Sequence, residues 1–200
     1  IDSGSIKIDG IDIRDVTLRS LRSQIGLVLQ DNLLFSGTVK ENIRYGYPEA
    51  SDEEVIKAAK KVGAHEFILD LPEGYDSDIR HFGNLLSIGQ KQLIAFARAI
   101  INDPPILILD EATSAVDPYS ELIIQQALET LLKGRTSISI AHRLSTVVNS
   151  DRIVVLKKGT IIEHGNHHEL MEKEDGVYKH LFNMQFKDPW KRENEQAVKN

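Results

Sequence analysis

"ILILDE", from Ile106 to Glu111, is a short apolar run closed by two carboxylates. Its length and its lack of polar alternation predict a strand of a parallel sheet covered by helices on both faces. Two further stretches share the design: "IGLVLQ" (Ile25–Gln30) and "TSISIAH" (Thr136–His142), the latter with serine at alternate places. Each run ends in a polar group, namely Gln30, Asp110 with Glu111, and His142. Ligands of open α/β sheets bind beyond the carboxyl ends of the strands, so these groups are expected to converge on one site.

The segments around these strands read as helices. "SDEEVIKAAKKV" has Ser51 or Asp52 as a cap and places Val55, Ile56, Ala59 and Val62 on one face. "AHEFILDL" follows Gly63, and a longer apolar helix runs from Ser87 to about Asn102, where Asp103-Pro104-Pro105 stops it. Asp117 is expected to cap "PYSELIIQQALETLL", with Pro118 at the first helical position. Beyond His142, "RIVVLKKGTIIEH" predicts a hairpin turning at Lys158-Gly159, followed by short helices near 167–173 and 177–185. Residues 186–200 are charged and patternless and read as a disordered tail. The first residues open directly on a short alternating strand, Ser5–Asp9, without an initiator methionine, so the chain is expected to be a piece of a longer protein.

Composition narrows the function. The 200 residues suffice for a real core, and 24 Lys+Arg against 30 Asp+Glu leave a net charge of −6, which disfavours nucleic acid as a partner. There is no cysteine, hence no disulfide framework and no thiolate metal site. No apolar run approaches the ~18 residues of a membrane span.

Two adjacent carboxylates at the end of a buried strand are costly unless a cation or a proton transfer uses them. Asp110 is expected to hold Mg²⁺, directly or through water, and Glu111 to orient and deprotonate an attacking water. Gln30 offers a carbonyl oxygen to the metal or the water without adding charge, and His142 is placed to contact a terminal phosphate. In "LLSIGQKQLIAFARA" (Leu85–Ala99), Ser87 stands at an N-cap position and Gln90 follows at capping-box spacing, with Gly89 between them. A helix N-terminus carries about half a positive charge and free N–H groups, which suits an anion. Ser87 adds a hydroxyl, and Gly89 permits close approach of a ligand. The alternative is that Ser87 and Gln90 merely cap each other.

Taken together and in this order, these motifs resemble those of the nucleotide-binding domain of an exporter-type ATP-binding cassette (ABC) transporter. The resemblance covers Gly4 to about Gln185. It rests on the Q-loop glutamine Gln30, the signature "LSIGQ" (Leu86–Gln90) and the Walker B strand ending in Asp110 and Glu111. The D-loop "SAVD" (Ser114–Asp117) and the switch histidine His142 complete it. "FSGTVKENIRYG" after the Q-loop and "LPEGYDS" before the signature look like exporters.

The resemblance implies an α/β RecA-like P-loop NTPase core with a mostly parallel sheet, formed by residues 1–42 and 101–185. A helical subdomain carrying the signature would be inserted at 43–100. It further implies ATP and Mg²⁺ as cofactors and a second nucleotide-binding domain docked head to tail. Transmembrane domains would be the other partner, with the ATPase on the cytoplasmic face of a membrane. The helix start with Ser87, Gly89 and Gln90 would then meet the γ-phosphate of the nucleotide held by the partner. Glu111 and His142 would serve the chain's own, and Asp117 and Gln30 would be further nucleotide-binding and catalytic residues.

Three departures stand out. The phosphate loop G-x-x-x-x-G-K-[ST] is nowhere in the chain, which has no Gly-Lys pair, and is expected upstream. The signature reads Ser-Ile-Gly where Ser-Gly-Gly is usual, and Arg80-His81 occupies the place of a usual Gly-Glu. Ser87 and the second glycine, Gly89, are kept, so phosphate contact is expected to survive, while Arg80-His81 is compatible with a heterodimeric exporter, including one whose half is catalytically weak. A soluble, non-transporting ABC ATPase is the other alternative. "HGNHHEL" (His164, His167, His168) is read as part of a helix start rather than a metal site.

Overall fold

The computed structural model describes residues 1–30, 33–82, 86–110, 118–140 and 147–186. They fall in two units, Ile1–Ile140 and Ala141–Asn200. The first unit opens on a two-stranded antiparallel ribbon, β1 (Lys7–Ile8) and β2 (Ile11–Asp12). Asp9 and Gly10 turn it, both at positive φ (49° and 82°), the geometry of the tightest hairpins. The expected strand at Ser5–Asp9 is thus the first arm of a hairpin.

Helix α1 (Leu18–Ser23), capped by Thr17, leads into β3 (Ile25–Val28). Next come α2 (Val39–Arg44), α3 (Asp52–Lys61), α4 (His65–Leu69), α5 (Ile79–Phe82) and α6 (Ile88–Ile100). Then β4 (Ile106–Asp110), α7 (Pro118–Leu132) and β5 (Thr136–Ile140) complete the unit. The three longer strands form one parallel sheet in the order β3-β4-β5, as their apolar runs predict.

The core is shared between this sheet and the helices. Val28, Leu107 and Leu109 point into a cluster with Val39 and Ile43 of α2, Val55 and Ala59 of α3, Leu93, Ile94, Phe96 and Ala97 of α6, and Ile124 and Leu131 of α7. Gly26 sets how closely α6 can lie on the sheet. A Cβ there would stand 2.5 Å from the Ala99 carbonyl oxygen and 2.6 Å from Leu107 Cδ2, closer than real contacts allow. The helix starts are written in side chains. Thr38 with Glu41, Ser51 with Glu54, and Ser87 with Gln90 each close a reciprocal capping box, so two leading N–H groups find partners at each end.

The second unit is an antiparallel hairpin, β6 (Ile153–Lys157) and β7 (Thr160–Gly165), followed by α8 (His167–Glu172) and α9 (Val177–Phe186). The turn falls at Lys158-Gly159, with φ of 51° and 79°, where the sequence places it. Asn166 and Glu169 form a further capping box at α8. Glu163 of β7 accepts hydrogen bonds from the backbone N–H groups of Val177 (2.8 Å) and Tyr178 (3.0 Å), tying the start of α9 to the hairpin. The bond from the Tyr178 N–H is the main cause that holds the Glu163 carboxyl below its usual range. A small core of Ile153, Leu170 and Tyr178 forms beneath, and His167 Nδ1 hydrogen-bonds the Tyr178 hydroxyl at 2.8 Å.

Candidate nucleotide site

Parallel pairing brings the carboxyl ends of β3, β4 and β5 to one edge of the sheet. Val28 stands opposite Leu109, and Asp110 opposite Ile140. Gln30 follows β3 by two residues and is exposed, while Asp110 is the last residue of β4 and half-buried. Neither side chain has a hydrogen-bond partner among the described residues, so both offer oxygens at that edge. Glu111 follows Asp110 in the chain and His142 follows Ile140 by two residues. Glu111, Asp117 and His142 lie outside the described residues.

Ser87 is the N-cap of α6, with φ −63° and ψ 162°. Its Oγ accepts from the Gln90 N–H (3.1 Å), and its own N–H donates to Gln90 Oε1 (2.9 Å). The Lys91 N–H donates to the Ser87 carbonyl at 3.0 Å. The N–H groups of Ile88 and Gly89 have no partner among the described residues, so they are the donors left for an external anion. Ser87 is exposed and Gly89 buried beneath it. No hydrogen bond among the described residues joins Ser87 to Gln30 or Asp110.

Sequence reasoning missed a second set of polar groups, centred on Arg98 and Asn42. Arg98 stands half-buried near the end of α6. Its guanidinium donates to the Leu33 carbonyl (2.9 Å), the Asn42 carbonyl (2.8 Å) and Asn42 Oδ1 (2.9 Å), and its Cζ lies 4.8 Å from the centre of the Phe35 ring. Burial pushes this guanidinium below the usual arginine range. Its signal in the sequence is a lone cation inside "LIAFARAI", where the surrounding residues are apolar.

Among the described residues, no group of three or more His, Asp or Glu gathers at metal-binding range. Asp110 and Gln30 nevertheless suit Mg²⁺ by their chemistry. That ion takes hard oxygen ligands, keeps several waters, and is commonly held by one or two protein groups together with substrate phosphates.

The sequence pattern of the ABC transporter family matches residues 1–114, more than half of the chain. The chain belongs to the ABC transporter family. It is 59% identical over 183 residues to an uncharacterized ABC transporter ATP-binding protein, YknV, of Bacillus subtilis, covering 92% of this chain and 30% of that protein. A putative multidrug export ATP-binding/permease protein of Staphylococcus aureus is 56% identical over 185 residues, covering 92% of this chain and 32% of that protein. The fold also matches part of a solved structure of a bacterial Atm1-family ABC exporter with ATP bound. The match has a TM-score of 0.83 and 44% identity, covering 94% of this chain and 33% of the exporter. The α/β RecA-like P-loop NTPase class expected from the motifs is therefore the observed class. This ABC chain spans about a third of the length of the curated relatives it matches. No helix among its described residues is long and apolar enough to cross a membrane.

Proposed function

We propose that this chain is the ATP-binding and ATP-hydrolysing part of an ABC exporter, in which ATP-driven head-to-tail dimerisation is coupled to export of a substrate through attached transmembrane domains. It would work on the cytoplasmic face of a membrane. The observation that carries the reading is the strand edge: parallel β3, β4 and β5 end side by side, with Gln30 two residues beyond β3 and Asp110 at the end of β4. The relatives' names, with export and ATP binding among them, support it.

In this reading Asp110 and Gln30 hold Mg²⁺, which when bound neutralises phosphate charge. Glu111 takes a proton from water as the water oxygen bonds to the γ-phosphorus. The bond from that phosphorus to the β–γ bridging oxygen breaks, and ADP keeps the electron pair. His142 donates to the γ-phosphate and so favours its developing charge. Ser87, Gly89 and Gln90 meet the γ-phosphate of the nucleotide bound by the partner domain, and Asp117 lies at the same junction. Residues 43–100 act as the helical subdomain that carries this contact, inserted between core segments 1–42 and 101–185.

Glu111→Gln in the full-length protein tests the chemistry. ATP binding should persist while turnover falls by roughly 10²–10⁴-fold, the usual share of a positioned general base. Turnover within about twofold of the parent would remove Glu111 from that role.

A further inference from the structure

Arg98 is a cation with no carboxylate partner among the described residues. Its three hydrogen bonds go to the carbonyls of Leu33 and Asn42 and to the Asn42 side-chain oxygen. Asn42 is 1% exposed and uses its whole amide. Oδ1 accepts from the Phe35 N–H (2.8 Å) as well as from Arg98, and Nδ2 donates to the carbonyls of Phe35 (2.9 Å) and Thr38 (3.0 Å). An amide has two donors and two acceptor sites, so nothing is left over. The Phe35 ring, which lies against Tyr45 with 4.4 Å between centroids and a 35° tilt, covers the guanidinium. At the other end of α2, Gly46 lies so close to the Arg98 carbonyl that a Cβ would overlap it.

These contacts fasten residues 33–38, which begin three residues after Gln30, to the helix that starts at Ser87. Even half-burying a cation without a charged partner has a desolvation cost, which these three hydrogen bonds offset. We infer that Arg98 is a positioning residue: with Asn42 it clasps the segment following Gln30 to α6, so that Gln30 and Ser87 move as one body.

The consequence rests on the head-to-tail reading given above. There, Gln30 serves the nucleotide of its own domain and Ser87 that of the partner, so each chain touches both sites. A clasp joining the two within one chain makes each site sensitive to occupation of the other. Lysine keeps the charge of Arg98 but not the planar fork that reaches three acceptors at once.

The test compares the purified full-length protein with its Arg98→Lys variant. In the variant the ATP concentration dependence of hydrolysis should lose its cooperativity, the Hill coefficient falling to about 1 while KM stays within about twofold. Hydrogen exchange at the Phe35 amide should speed up by about tenfold, the worth of one lost hydrogen bond, with the α6 interior still protected. A variant that keeps the parent's Hill coefficient, or a parent that is itself non-cooperative, overturns the inference. So does unchanged exchange at Phe35. A parent with no ATPase activity that Glu111→Gln removes sinks the proposed function instead, and the exchange comparison then still decides the clasp.

Discussion

On one face of the β3–β4–β5 sheet, Gly26, Val28, Leu107 and Leu109 are buried in the core shared with α6 and α7. On the other, Leu27, Ile138 and Ile140 are 52%, 57% and 54% exposed. Leu27, the half-buried Ile108 and Ile138 stand in register across the three strands, so this face carries a continuous apolar row. Strands this uniformly apolar are built for cover on both faces. Among the described residues of the first unit only one face is covered, and an apolar row open to water marks a contact surface. Residue type therefore sets what a face requires, and the neighbouring elements decide whether the requirement is met.

The largest effect should come from the covered face. Leu107→Ala leaves a cavity in a site that is fully buried and should cost about 2–5 kcal/mol, read as a lower midpoint in urea denaturation of the chain. A loss under about 1 kcal/mol would mean that this face is packed no better than the other. Gly26→Ala is next. The new methyl meets Ala99 and Leu107, and overpacking of this kind costs typically 1–3 kcal/mol. An unchanged midpoint would show that α6 can retreat from the sheet freely.

The smallest effect belongs to the bare face. Ile138→Ser in this chain should shift stability by no more than about 0.5 kcal/mol, as exposed sites do. In the full-length protein the same change should cost about 1.5–3 kcal/mol if the row is covered there. Equal costs in the two settings would erase the contrast between the faces.

Much of this fold is legible in the sequence where one residue type repeats or one pair of residues decides. The apolar runs at Ile25, Ile106 and Thr136 each become a strand, and the pattern at Lys158-Gly159 becomes the hairpin turn. Ser51 and Ser87 cap the helices they are expected to cap. Helix α1 escaped because its six residues bury no side chain, leaving only Thr17 as a signal. Helix α2 escaped although Thr38 and Glu41 spell a capping box, because a six-residue helix shows too few turns for its periodicity to register. At the candidate site, the strand-terminal residues could be named from sequence, but the Arg98–Asn42 clasp could not. Its partners are 56 positions apart, and only packing brings them together.

Among the described residues, four helices begin with a closed capping box. Three are closed by glutamate, at Glu41, Glu54 and Glu169, which places a full negative charge against the helix start. The fourth, at α6, is closed by Gln90 and is neutral. Glutamate there would complete the same two hydrogen bonds and suit the helix dipole better. On the proposed reading it would also occupy, with its own charge, the field that the partner nucleotide's phosphate would use. Gln90 thus keeps α6 capped while leaving that field vacant, so the same helix end is both finished as structure and unspent as electrostatics.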